Sequence, residues 1–188
     1  YGTIQDITER KQRERELEAI AAISAALRAA ETLDDMLPRL LDKTLAAIGT
    51  DAGALWLYDP ADGELRRSVA RGWFTQLDKT PVKPGEGIAG RVFAAGEPHL
   101  SREFARDPLA RDSVRPQIAP DWGGACLPIR STAEVIGVFF VSVQLPRELT
   151  PPEVHLLATL AEIAGNAIHR MSLHAHTGRR AEEFAALY

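Results

Sequence analysis

GGACLPIRSTAEVIGVFFVSVQLP, residues 123–146, is the stretch on which the fold turns. Residues 123–131 read as one strand and residues 134–146 as the next, with room between them only for a tight turn. A turn that short pairs the two strands antiparallel. From Val135 to Val143 the second strand is apolar on both faces apart from Gly137 and Ser142. A strand of that kind sits in the middle of a sheet with both sides covered.

On the N-terminal side of this pair, residues 102–122 are polar and carry three prolines, Pro108, Pro116 and Pro120. They read as a loop with one helical turn, and a loop of that length inside a compact domain often serves as a functional lid. Before it, PGEGIAGRVFAAGEP (84–98) reads as a loop, a short helix over 88–95 and a stop at Gly96, with 98–101 as a short strand. Further out, AGALWLYD (52–59) and ELRRSVARG (64–72) form a hairpin across Pro60, Asp62 and Gly63, and 73–84 is loop. An amphipathic helix precedes that hairpin. Thr32 or Asp34 caps it, Leu37, Leu40, Leu41, Thr44, Leu45 and Ile48 form its apolar face, and Gly49 ends it.

The N-terminal 30 residues read differently. Residues 1–8, YGTIQDIT, are a short apolar stretch with Thr8 as a helix cap, and residues 9–18 balance four basic against four acidic side chains. Leu17, Ile20, Ile23, Leu27 and Ala30 then recur every three to four residues, a stripe that calls for a partner helix. At the other end, Thr150, Pro151 and Glu153 spell a capping box. The helix it opens carries Val154, Leu157, Leu160, Ala161, Ala164, Ile168 and Met171 on one stripe, with Leu156, Ile163 and Ala167 on a second flank. Residues 174–188 read as a linker helix to a further domain. The chain opens at Tyr1 rather than Met, and we read it as a segment of a longer protein.

Composition narrows the functional classes. In 188 residues, 45% are hydrophobic and 26% charged, with a net charge of −4. That suffices for one domain with a core and gives no electrostatic reason to expect nucleic acid or an anionic membrane surface. No apolar run approaches the roughly 20 residues that cross a bilayer. The single cysteine, Cys126, can build neither an internal disulfide nor a multi-cysteine metal site. No pair of histidines has zinc-site spacing with cysteines or carboxylates, and GxSxG, HExxH and Walker motifs are absent.

The order helix, helix, hairpin, short helix, lid loop, hairpin, long helix resembles the GAF family of sensory domains over residues 17–173. AGALWLYDPADGEL resembles the family's first hairpin, GEGIAGRVFAAGEP its glycine-rich turn and short helix, and Asp107-Pro108 a common lid element. CLPIRSTAEVIGVFFVS resembles the last strand pair, and TPPEVHLLATLAEIAGNAI the closing helix. GTIQDITERKQ resembles the final strand and exit helix of a PAS domain. The resemblance implies an α+β fold with a central antiparallel sheet of five or six strands. Two N-terminal helices and one long C-terminal helix cover one face, and loops enclose a small-molecule pocket on the other. It also implies the end of a PAS domain at 1–8, a signalling coiled-coil helix at 9–30 and a cytoplasmic multidomain signalling protein. Its output by family habit is a histidine kinase or a cyclic-dinucleotide enzyme.

Site expectations follow. The residues on strands or covering loops that would line the pocket are Trp56, Tyr58, Trp73, Ile88, Phe93, Cys126 and Phe140. Leu17, Ile20, Ile23 and Leu27 would form a homodimer seam and carry the signal. Residues 85–90 spell GxGxxG, but a dinucleotide fingerprint needs a strand directly before it and a parallel βαβ unit. Here Pro84 precedes it, so the motif reads as a tight turn at a helix start. Cys126 is followed by Leu127, whereas the bilin-binding branch anchors its pigment through a cysteine usually followed by histidine, so Cys126 reads as a buried structural residue. The branch that reduces methionine sulfoxide uses several cysteines, and one cysteine has no resolving partner. The cyclic-nucleotide signature is not traceable. His155 and His169 fall away from the apolar stripe, His174 and His176 lie in the tail, and His99 alone falls near the pocket. Haem and metal binding are therefore not expected, and no cofactor or catalytic residue is assigned. The expected function is ligand-dependent regulation, with a ligand-free dimerising spacer as the alternative.

Overall fold

The structure, a computed structural model, describes residues 2–185 apart from Ala133, with side chains as far as Leu173. His174, His176 and the side chains of the 174–188 linker lie outside the described residues. The elements run α1 (Gly2–Ala29), α2 (Leu33–Ile48), β1 (Ala52–Asp59), β2 (Glu64–Arg71), α3 (Gly87–Ala95), β3 (His99–Ser101), β4 (Trp122–Arg130), β5 (Val135–Gln144) and α4 (Pro151–Ala185). Short 3-10 turns at Gly72–Gln76, Phe104–Arg106 and Arg115–Gln117 punctuate the loops.

The five strands form one antiparallel sheet in the order β2-β1-β5-β4-β3. β5 lies in its middle, where its two-sided apolar sequence places it. Strand alternation then sorts the side chains into two cores. Leu55, Leu127, Ile129, Phe139, Val141 and Val143 face α2 and α4, where they meet Leu37, Leu41, Leu157, Leu160 and Ile168, and α1 packs on those two helices. Ala54, Trp56, Cys126, Val138 and Phe140 face the opposite way, towards α3 and the loops. Each fully buried Leu, Ile or Phe contributes roughly 1.5–3 kcal/mol of transfer free energy. Both faces of the sheet are therefore closed by burial, one by regular helices and one by irregular chain.

Helix ends follow the sequence signals. Thr32 accepts the Asp35 amide at 3.2 Å and caps α2. At α4 the Thr150 amide donates to Glu153 Oε2 at 2.8 Å, one half of the expected box. Arg147 joins the two helices. It donates to the Ile48 and Gly49 carbonyls at the end of α2 and to Glu153 at the start of α4. A cation at a helix C-terminus is favourably placed against the helix dipole. Gly165 is where α4 touches the sheet. A Cβ there would stand 1.9 Å from the Arg130 carbonyl oxygen, so only hydrogen fits.

Two expectations need correction. Thr8 caps nothing: α1 already runs from Gly2, residues 2–8 are helical rather than a strand, and Thr8 Oγ1 donates to the Ile4 carbonyl one turn back. Ile23 and Leu27 are not available as a seam. With Ala30 they are buried in the chain's own core against α2 and α4, leaving Leu17 66% exposed and Ile20 half-buried. The helical period identifies a sticky stripe but not what covers it, and here α2 and α4 take its C-terminal half. The backbone of α4 continues through Gly178 to Ala185 as one helix.

Candidate functional site

Between the second sheet face and the covering loops lies a cavity of about 80 Å³. Trp56 of β1 and Phe140 of β5 form its floor, edge to face with ring centroids 5.1 Å apart. Trp73 and Phe74 come from the turn after β2 and stack at 3.8 Å. Phe104 comes from the lid, 6.4 Å from Phe74 and 5.7 Å from Phe140. These five rings line the space together with Leu77, Val82, Ile88, Ala89, Ala110, Val114 and Ile118. Trp73 is oriented by its Nε1–H, which donates to Ser142 Oγ at 3.3 Å, and Ser142 in turn donates to the Gly123 carbonyl.

The polar side chains of the lining are at the rim, where Glu86 and Arg111 flank Gly87. Gly87 opens α3 with φ 59°, and its missing Cβ leaves room for Arg111, whose Cγ would lie 2.9 Å from such an atom. Gly90, one turn on, sits against the Lys83 carbonyl, which a Cβ would meet at 2.2 Å. The glycines of GEGIAG thus fold a turn back onto the start of its own helix. The chain entering this turn makes an isolated antiparallel bridge, Val82 to Leu65, so the parallel unit a dinucleotide site needs is not built.

Three devices hold the lid. Arg115 donates to the carbonyls of Ala105, Asp107 and Ala110 at 2.9, 3.0 and 2.9 Å, tying three points of the loop to one guanidinium. Asp107 accepts the Leu109 amide and pairs with His99 Nε2 at 2.8 Å. Burial works against its charge. Hydrogen bonds from Ser101, His99 and Leu109 outweigh that and hold the carboxyl below the usual range. Gln117 bonds Asp78 in both directions, to its amide at 2.7 Å and its carboxylate at 2.9 Å, latching the lid to the loop after β2.

Of the seven residues expected at the pocket, Trp56, Trp73, Ile88 and Phe140 line the cavity. Tyr58 and Phe93 are on the same sheet face but stack on each other, 4.7 Å apart, outside the lining. Cys126 is also on that face, fully buried and outside the lining, and burial pushes its thiol pKa well up. His99 reaches Asp107 rather than the cavity. Phe74, Phe104 and Arg111 were missed because they lie in loops with no period to read. The available signal was the aromatic content of those loops, since a buried aromatic in irregular chain has to cover something. Among the described residues no three His, Cys, Asp or Glu side chains stand together as a metal-holding group, and no helix is long and apolar enough to cross a membrane.

Comparison with known proteins adds to this geometry. A family model described as GAF domain matches residues 30–169. The Nif-specific regulatory protein of Herbaspirillum seropedicae is 28% identical over 159 residues, covering 81% of this chain but 29% of the relative. The chain therefore spans under a third of that protein's length. Among solved structures, the GAF domain of a phosphoenolpyruvate-protein phosphotransferase from Coxiella burnetii superposes with a TM-score of 0.72 at 23% identity, covering 86% of this chain and 98% of that one. The free methionine-R-sulfoxide reductase of Neisseria meningitidis, solved with its substrate, gives 0.70 at 17% identity over 85% and 91%. At these identities the two structures share the fold with this chain.

Proposed function

Because the chain belongs to the GAF domain family, we propose that it is a sensory and regulatory module, binding a small molecule under its lid and passing the change to neighbouring domains through α1 and α4. The observation that carries this is the aromatic-lined cavity, covered by a separately latched loop and carrying Glu86 and Arg111 in its lining. The regulatory character of the curated relative supports the same reading. The setting we propose is a cytoplasmic multidomain protein with a PAS domain upstream and an output domain downstream, a histidine kinase or cyclic-dinucleotide enzyme. It would associate as a homodimer along its terminal helices.

The module binds rather than catalyses. Although one structural neighbour is a reductase, the cysteine of this chain is fully buried with its thiol held protonated, and it has no second thiol to resolve an oxidised form. Native mass spectrometry of gently purified protein, followed by a thermal-shift screen of small metabolites, tests the proposal. A retained compound or a saturable stabilisation is the expected result.

One observation favours a second reading. The five rings already satisfy one another, and the space they leave is small. A ligand-free spacer that only holds two copies together would look the same, and a screen with no retained compound and no stabilised complex would establish it.

A further inference from the structure

We propose that the cavity takes a compact monoanion with a flat cyclic body, its carboxylate set against Arg111 and the first turn of α3. This rests on the ligand-binding reading above and names the chemistry of the ligand.

Size decides the first half. A buried water needs roughly 10–15 Å³ of such space, so a cavity of about 80 Å³ holds the equivalent of about five to eight water-sized bodies. That matches one small ring with a short substituent, and a nucleotide or tetrapyrrole is several times too large. The walls agree: the rings of Phe74, Phe104 and Phe140 offer only faces and edges to a planar apolar body, and Trp56 adds a single indole N–H donor.

Charge decides the second half. Arg111 is half-buried over Gly87, and among the described residues its guanidinium makes no hydrogen bond or ion pair. A partly desolvated fork of donors at the mouth of an apolar space is arranged for a planar anion. The first turn of α3 points the same way. Gly87, Ile88 and Ala89 line the cavity, their amides begin a helix, and Glu86 at the cap position makes no side-chain cap. Glu86 Oε2 instead lies 3.4 Å from the Lys83 amide. The surrounding carboxylates limit the ligand's charge. Glu86 borders the rim and Asp78 is near enough to feel Arg111, so the mouth already carries more negative than positive charge; the free donors of Arg111 and α3 have to hold even one carboxylate against it, and a second negative charge meets stronger repulsion.

Isothermal titration calorimetry of the 188-residue chain tests this with three probes: benzoate, its neutral counterpart benzyl alcohol, and the dianion phthalate. We expect benzoate to bind saturably, with benzyl alcohol and phthalate each about tenfold weaker or more. Arg111→Gln should weaken benzoate about tenfold or more while leaving benzyl alcohol within about twofold, since a hydrogen bond to a charged group is lost and the apolar contacts stay. Glu86→Gln should tighten benzoate, and Ala110→Leu, which fills the cavity, should abolish binding of both. Equal binding of benzoate and benzyl alcohol, or an unchanged benzoate affinity in Arg111→Gln, overturns the anion assignment and leaves the cavity reading standing. Binding that survives Ala110→Leu places the site elsewhere. No binding of any probe to the unsubstituted chain overturns this proposal, and the absence of any ligand in the wider screen removes the sensory reading with it.

Discussion

Asp107 shows how one buried carboxylate can set the behaviour of a loop. It is 5% exposed, and its bonds to His99, Ser101 and the Leu109 amide need the ionised form. Its pKa is lowered on folding, so the stability it contributes is fully present above the unfolded value near about 4 and is lost as pH falls through the lower folded value. Asp107→Asn should therefore cost about 1–3 kcal/mol at neutral pH, and the gap from the unsubstituted chain should close in urea melts as pH drops below about 4. Cys126 gives a second prediction at this scale. Burial keeps its thiol protonated and out of reach, so iodoacetamide at pH 8 should label it only at the rate of unfolding, and promptly in denaturant. Rapid labelling of the native chain would mean that β4 opens without global unfolding.

Among the elements, α4 is the one whose sequence misleads if read by propensity alone. Gly to Ala inside an exposed helix usually stabilises by about 1 kcal/mol. At Gly165 the added methyl meets the Arg130 carbonyl, so Gly165→Ala should destabilise by about 1–3 kcal/mol through overpacking, measured by denaturant titration. The caps at Thr32 and Thr150 could be read from sequence because they depend on residues within one turn. The central place of β5 was equally legible, since Phe139 and Phe140 demand apolar cover on both sides. The fate of Ile23 and Leu27 was not, because a stripe on α1 looks the same whether α2, α4 or a second chain covers it. The cavity was legible only where it uses strands. Trp56 and Phe140 follow from alternation, while Phe74, Phe104 and Arg111 are placed by loop geometry that no period encodes.

At the scale of the whole molecule, two exposed apolar side chains on the terminal helices remain to be explained. Leu17 is 66% exposed on α1 and Leu173 56% exposed on α4. Paired with a second copy, the α1 surface would be covered in a closed two-fold contact. Sedimentation equilibrium should then report a dimer at micromolar concentration and Leu17→Glu a shift to monomer; a monomer for both would remove the dimer. If α1 also carries signal in a longer protein, its rotational phase matters. One residue inserted between Arg10 and Glu16 turns everything after it by about 100°, whereas seven turn it by about 700°, about 20° short of two full turns. The single insertion should uncouple output from upstream input and the heptad should preserve it, read as the output activity of the full-length protein. The middle position of β5 has its own consequence, in time rather than space. Its amides are held between β1 and β4, and its side chains anchor both cores, so their deuterium uptake should proceed only through global opening and clock the unfolding of the entire domain. The three residues of β3, at the sheet margin and paired on one side, should take up deuterium far sooner, and the interval between the two rates measures how much of this domain can loosen at its margin while its centre stays shut.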